Sequence, residues 1–175
     1  MEITMARLIL LATSPELESE LRALSGQIES QKFFTTDVRS CPSVKHLNDL
    51  DSAMCECMNG ASAALVPLIG ESIDAGMRAL AVLRTPVIIL TDATGYHEWR
   101  EHKLMITADV FMTILTGNSN DYPRNLPVSG VVRVGSPLPW HSQLHAAVAE
   151  EVVAAVRKCP MTSSRQSQNV KAAQV

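Results

Sequence analysis

The stretch Thr85-Pro86-Val87-Ile88-Ile89-Leu90-Thr91-Asp92 constrains the fold of this chain more than any other. Four apolar residues, three of them β-branched, follow a proline placed to open a strand, and a polar pair closes the run. A short run that is apolar on every side predicts a strand covered on both faces, which belongs in the middle of a parallel sheet. In such sheets ligands and chemistry collect beyond the carboxyl ends of the strands. The pair Thr91-Asp92 therefore marks where a site is expected.

Strand and helix alternate along the rest of the chain. Arg7 to Ala12 reads as a first buried strand. Ser14 is placed to cap a helix with Pro15 at its first position, and Leu17, Leu21 and Leu24 recur at helical spacing until Gly26 is expected to end it. Lys32 to Val38 is a more polar strand, suited to a sheet edge. Ser43 to Met58 carries Val44, Leu47, Leu50, Met54 and Met58 at three- and four-residue spacing, with Asn59-Gly60 closing the helix. Ala61 to Ile69 is a third buried run, which Pro67 is expected to cut short near Val66. A helix with Ile73, Met77, Leu80 and Leu83 on its apolar side leads into the opening stretch.

His97 to Met105 then reads as helix, while Ala108 to Leu115 either continues it or forms a strand. Gly117 to Asn125 is dense in breakers and reads as a surface loop. Val128 to Val134 reads as a strand and Trp140 to Val156 as a closing helix. Residues 159–175 form a Ser/Gln/Arg-rich tail too poor in apolar side chains to pack, expected to be mobile, which leaves 1–158 as one domain. The alternation predicts a doubly wound, three-layer α/β/α domain with a five-stranded parallel sheet in the flavodoxin-like order 2-1-3-4-5.

Composition narrows the function classes. Aromatic residues make up only 4%, too few for the stacking platforms of a base-binding module. Net charge is −3, yet after Glu151 there are four basic residues and no acid, so the negative charge sits on the folded body. That body is not expected to attract nucleic acid or anionic lipid. Cys41, Cys55, Cys57 and Cys159 show no secreted-scaffold spacing and read as reduced thiols of a cytoplasmic protein. No apolar run is long enough to span a membrane.

Two segments carry a resemblance. Leu83-Arg84-Thr85-Pro86-Val87-Ile88-Ile89-Leu90-Thr91 resembles the fourth strand of response-regulator receiver domains, including its terminal threonine. Val131-Val132-Arg133-Val134-Gly135-Ser136-Pro137-Leu138-Pro139-Trp140 resembles their fifth strand and the Lys-Pro that follows, with Ser136 in place of the lysine and Pro137 matching the proline. With the first strand and helix, the resemblance covers Arg7 to Arg157. The departures lie at the chemistry. Where receivers hold magnesium with two acids, this chain has Ala12, Thr13 and Ser14; where they place the phosphate-accepting aspartate, it has Val66, Pro67 and Leu68. Neutral hydroxyls hold magnesium poorly, and none of the three aliphatic residues can be phosphorylated. The resemblance therefore implies a degenerate pseudo-receiver with no cofactor and no metal.

If the strands run parallel, Thr13, Ser14, Thr91, Asp92 and Ser136 gather at one rim. That rim either accepts an anion or nucleotide-like ligand at the start of the first helix, or consists of a cap, Ser14, and turn residues. No glycine-rich phosphate loop is present, and Ser136 lacks the surroundings of a nucleophile elbow. His97 and His102 are five apart and diverge by about 140° on a helix, so they read as part of a solvated turn. His141 and His145 share a helical face without a third ligand. Cys55 and Cys57 point about 200° apart, which predicts one buried and one exposed thiol.

The leading expectation is a non-catalytic signalling or scaffold domain that acts through a protein partner or a homodimer. Its contact face would be the fourth helix, fifth strand and last helix, as in receivers, with Trp99, Trp140 and Arg133 as candidate interface residues. The alternative is a flavodoxin-like small-molecule- or nucleotide-binding protein, or an enzyme, in which Asp92 does acid–base work or holds a ribose hydroxyl. A third reading docks the basic tail from Arg157 onto another molecule. An open pocket with Thr13 and Asp92 facing inward separates the ligand reading from the scaffold one.

Overall fold

The computed structural model describes residues 6–106, 108–126 and 130–158. The expected mobile tail at 159–175, Cys159 and a strand start at Val128 lie outside the described residues. In chain order the elements are β1 (Ala6–Ala12), α1 (Pro15–Ser30), β2 (Phe34–Ser40), α2 (Leu47–Cys57), β3 (Ala63–Leu68), α3 (Ile73–Val82), β4 (Val87–Thr91), α4 (Ala93–Glu101), β5 (Val110–Thr116), β6 (Val131–Val134) and α5 (Ser142–Lys158). The sheet is parallel throughout, in the order β2-β1-β3-β4-β5-β6.

The α/β class and the flavodoxin-like order agree with expectation, but the sheet has six strands and not five. The extra strand is β5, from the segment left open between helix and strand. Met112 and Ile114 feed one core and Leu115 another, a two-residue alternation that only a strand covered on both faces can satisfy. Strand β5 also lies between the two segments that resemble a receiver's fourth and fifth strands, so β4 and β6 are not neighbours.

Alternation along each strand divides the core in two. Leu8, Leu10, Leu65, Ile88 and Leu90 pack under α1 and α5, which contribute Leu21, Leu24, Val148 and Val152. Ile9, Leu11, Ala64, Val66 and Ile89 face the other way, against Leu50 and Met54 of α2 and Ala79 and Leu80 of α3. Gly26 does not end α1. The stripe Leu17, Leu21, Leu24, Ile28 is buried along its whole length, and that burial outweighs the roughly 1 kcal/mol cost of one helical glycine. The stop comes at Lys32, with φ of 64°.

Pro67 does not interrupt β3. The Ala64 N–H and the Leu68 carbonyl both bond on the β4 side, so Pro67 turns toward β1. Pairing with β1 has already ended at Leu10–Leu65, and the missing donor has no ladder to break. Among the described residues no helix is long and apolar enough to cross a membrane.

Candidate functional site

The residues expected at one rim have separate duties. Thr91 is fully buried at the end of β4, and its hydroxyl reaches the Leu68 carbonyl at 3.0 Å and the Asp92 carbonyl at 2.8 Å. The Thr91 carbonyl accepts from Thr116 Oγ1 at 3.2 Å, while Tyr122 Oη lies 3.3 Å from it and 2.7 Å from the Thr116 carbonyl. Burial, reinforced by the charges of Asp92 and Asp121, pushes the Tyr122 hydroxyl well above its ordinary pKa, so it remains a donor. With Tyr96, Leu115 and Leu126, Tyr122 forms a small apolar cluster at this end of the sheet.

Asp92 is the N-cap of α4. Its Oδ1 accepts from the Gly95 N–H at 2.8 Å, and its Oδ2 from the Gly70 N–H at 3.1 Å. Both carboxylate oxygens thus hold backbone donors and tie the loop after β3 to the first turn of α4. The two elements touch at Gly95. A Cβ there would stand 1.9 Å from the Leu68 carbonyl oxygen and 2.5 Å from Thr91 Oγ1, so only glycine lets α4 begin here.

Ser14 caps α1, accepting from the Leu17 N–H at 3.3 Å. The Ser136 carbonyl accepts from Trp140 Nε1 at 3.1 Å and from the Gly117 N–H at 3.2 Å, which fastens the turn after β6. Thr13 differs from these. Its Oγ1 is shielded from solvent and has no hydrogen-bond partner among the described residues. An unpaired buried hydroxyl costs about 1–3 kcal/mol, so the position needs an explanation.

Thr13 lines a cavity of about 130 Å³ that none of the other four rim residues reaches. The cavity sits beside the reversal of strand order between β1 and β3, the usual place for a ligand crevice in an open α/β sheet. Its walls include Cys41, Ser43 and Val44 from the loop after β2, Leu50 from α2 and Arg78 from α3. The Arg78 guanidinium donates to the Val44 carbonyl and to the Lys45 carbonyl, the latter at 2.8 Å, which pins the loop to α3. Burial, and secondarily the neighbouring Cys57, pushes the Cys41 thiol up to about 11 against an opposing pull from Arg78, so the wall carries a neutral thiol at physiological pH. Sequence reasoning singled out Thr13 but not Arg78, which stands on the polar side of α3 with no local signal.

Trp140 is buried, stacked edge-on against His145, and presents no exposed ring. Trp99 is half-buried with Lys103 over its face, and Arg133 is exposed on β6. His145 turns inward to Glu20, with Nε2 2.8 Å from Oε2, whereas His141 Nδ1 accepts from the Leu144 N–H at 3.3 Å. The two histidines therefore do not converge. Cys55 is exposed and Cys57 partly buried, close to the expected division. Among the described residues, no three His, Cys, Asp or Glu side chains cluster so as to hold a metal ion. No protein-family model matches this chain, and no curated protein matches it.

Proposed function

We propose that this chain is a non-catalytic, receiver-like module that works through protein contacts and does not carry a phosphoryl group. One observation carries the reading: both oxygens of Asp92, the only carboxylate of the expected rim, accept from backbone N–H groups and so serve the scaffold. The single proton of the buried Thr91 hydroxyl is likewise committed, shared between the Leu68 and Asp92 carbonyls. The same facts count against the alternative of a flavodoxin-like nucleotide-binding protein or enzyme working through Thr91 and Asp92.

The contact surface is best sought after α4. Leu104 is 98% exposed and Met105 77%, on a 3-10 turn beside Trp99. Two adjacent apolar side chains left in water favour an interaction role over a structural one. The outward side of α5 offers no large apolar side chain by comparison, since its valines are committed to the core. The test has two arms. Titration with acetyl phosphate or beryllofluoride and magnesium, followed by tryptophan fluorescence, leaves the spectrum unchanged; a saturable response refutes the reading. Sedimentation velocity across a concentration series shows self-association that Leu104→Ser with Met105→Ser abolishes; a chain that stays monomeric removes the homodimer.

A further inference from the structure

We propose that the cavity beside the β1–β3 reversal binds a small organic monocarboxylate, with Arg78 facing its carboxylate and Thr13 supplying a hydroxyl. The proposal goes beyond the contact-module reading and does not depend on it. Volume sets the size: a cavity of about 130 Å³ is close to the roughly 150 Å³ that takes benzene, so the ligand has about six non-hydrogen atoms.

Charge sets the sign. The lining holds one cation, Arg78, and no acidic residue. Among the described residues Arg78 forms no ion pair, and its resolved bonds go to two neutral carbonyls, which use part of a five-donor group. An anion is the complement to that arrangement, and a cation would find nothing to neutralise it. One guanidinium without a glycine-rich loop suits a single negative charge better than a phosphate dianion. Val44 and Leu50 provide an apolar wall for a short hydrocarbon chain. Thr13 supplies the independent sign of a ligand. Thr13 lines the cavity while its hydroxyl is buried and unpaired, a standing cost to the empty protein, and a χ1 step that turns the hydroxyl into the cavity would offer it to a seated carboxylate.

Heteronuclear NMR titrations of the full chain test this with butyrate, its neutral isostere butyramide, and inorganic phosphate. Butyrate shifts the amides of Thr13, Cys41, Ser43, Val44 and Arg78 and saturates with a Kd of about 1 mM. Butyramide and phosphate bind about tenfold more weakly or worse. Thr13→Val, which keeps the side-chain shape, weakens butyrate about tenfold while raising the melting temperature, and Thr13→Ser retains binding. Arg78→Gln also weakens it, and the Thr13 pair keeps the test valid if that substitution loosens the loop after β2. Equal binding of butyramide, tighter binding of phosphate, unchanged affinity in Thr13→Val, or no saturable shift each overturns the proposal.

Discussion

Replacing Asp92 measures whether the strand-end polar pair is a clamp or a reagent. Asp92→Ala deletes the cap on Gly95 and the bridge to Gly70. Loss of an N-cap costs about 1 kcal/mol. A hydrogen bond to a charged acceptor is worth about 1.5–3 kcal/mol, but Gly70 is exposed and its N–H finds water once released, which leaves about 1 kcal/mol for the bridge. The sum, about 2 kcal/mol, lowers the melting temperature by about 6 °C in a domain of this size. Asp92→Asn keeps one acceptor for the cap and turns its amide donors toward Gly70, so it costs about half as much. Urea unfolding followed by circular dichroism reads both, with the slope unchanged across the series. An Asp92→Ala protein within about 0.5 kcal/mol of the parent, or more stable than it, refutes the clamp and returns Asp92 to the list of functional groups.

Three further outcomes follow from the same geometry. Gly95→Ala drives a Cβ into the Leu68 carbonyl and costs about 3 kcal/mol or more in thermal melts; a loss below about 1 kcal/mol would mean that α4 can slide away from β3 at little cost. Tyr122→Phe leaves the Thr116 carbonyl without the phenol while Thr116 Oγ1 still serves Thr91, and lowers the urea-derived stability by about 1 kcal/mol; no change would show the corner closed by packing alone. The Cys41 thiol, held near 11 against 9.0 when unperturbed, stabilises the fold fully below pH 9 and loses that contribution as pH rises through about 11, because the unfolded chain ionises first. Urea midpoints in that window therefore fall less steeply for Cys41→Ala than for the parent, and parallel curves would refute the assignment.

Interior strands and helix faces were legible because burial has a period. Val87 to Leu90 is apolar on both faces, and Leu17, Leu21 and Leu24 lie on one stripe, so the α/β class with a parallel sheet is legible in the sequence, while the sixth strand is not. The errors lie where local rules meet tertiary ones. Gly26 and Pro67 read as breaks, yet one sits on a helix whose other face is fully buried and the other lies beyond the last pair between β3 and β1. Strand β5 was ambiguous because eight mostly apolar residues satisfy either period until their neighbours are known.

The misplaced site has a more specific cause, the length of each strand-to-helix connection. Asp92 alone separates β4 from α4, and a connection that short must use its polar residue as the cap. Reading the helix from His97 hid this, because it left Asp92 four residues of apparent loop in which to be free. Six residues, Cys41 to His46, separate β2 from α2, long enough to arch away from the sheet and be pinned by Arg78. The cavity lies under that arch, with Thr13 as its unpaired wall. In this fold a polar residue at a strand end is therefore available to a ligand only where the following connection does not need it to start a helix. By that criterion Asp92 and Ser14 belong to the scaffold, Thr91 is turned to carbonyls, and of the five rim residues Thr13 is the one with a buried hydroxyl left unpaired.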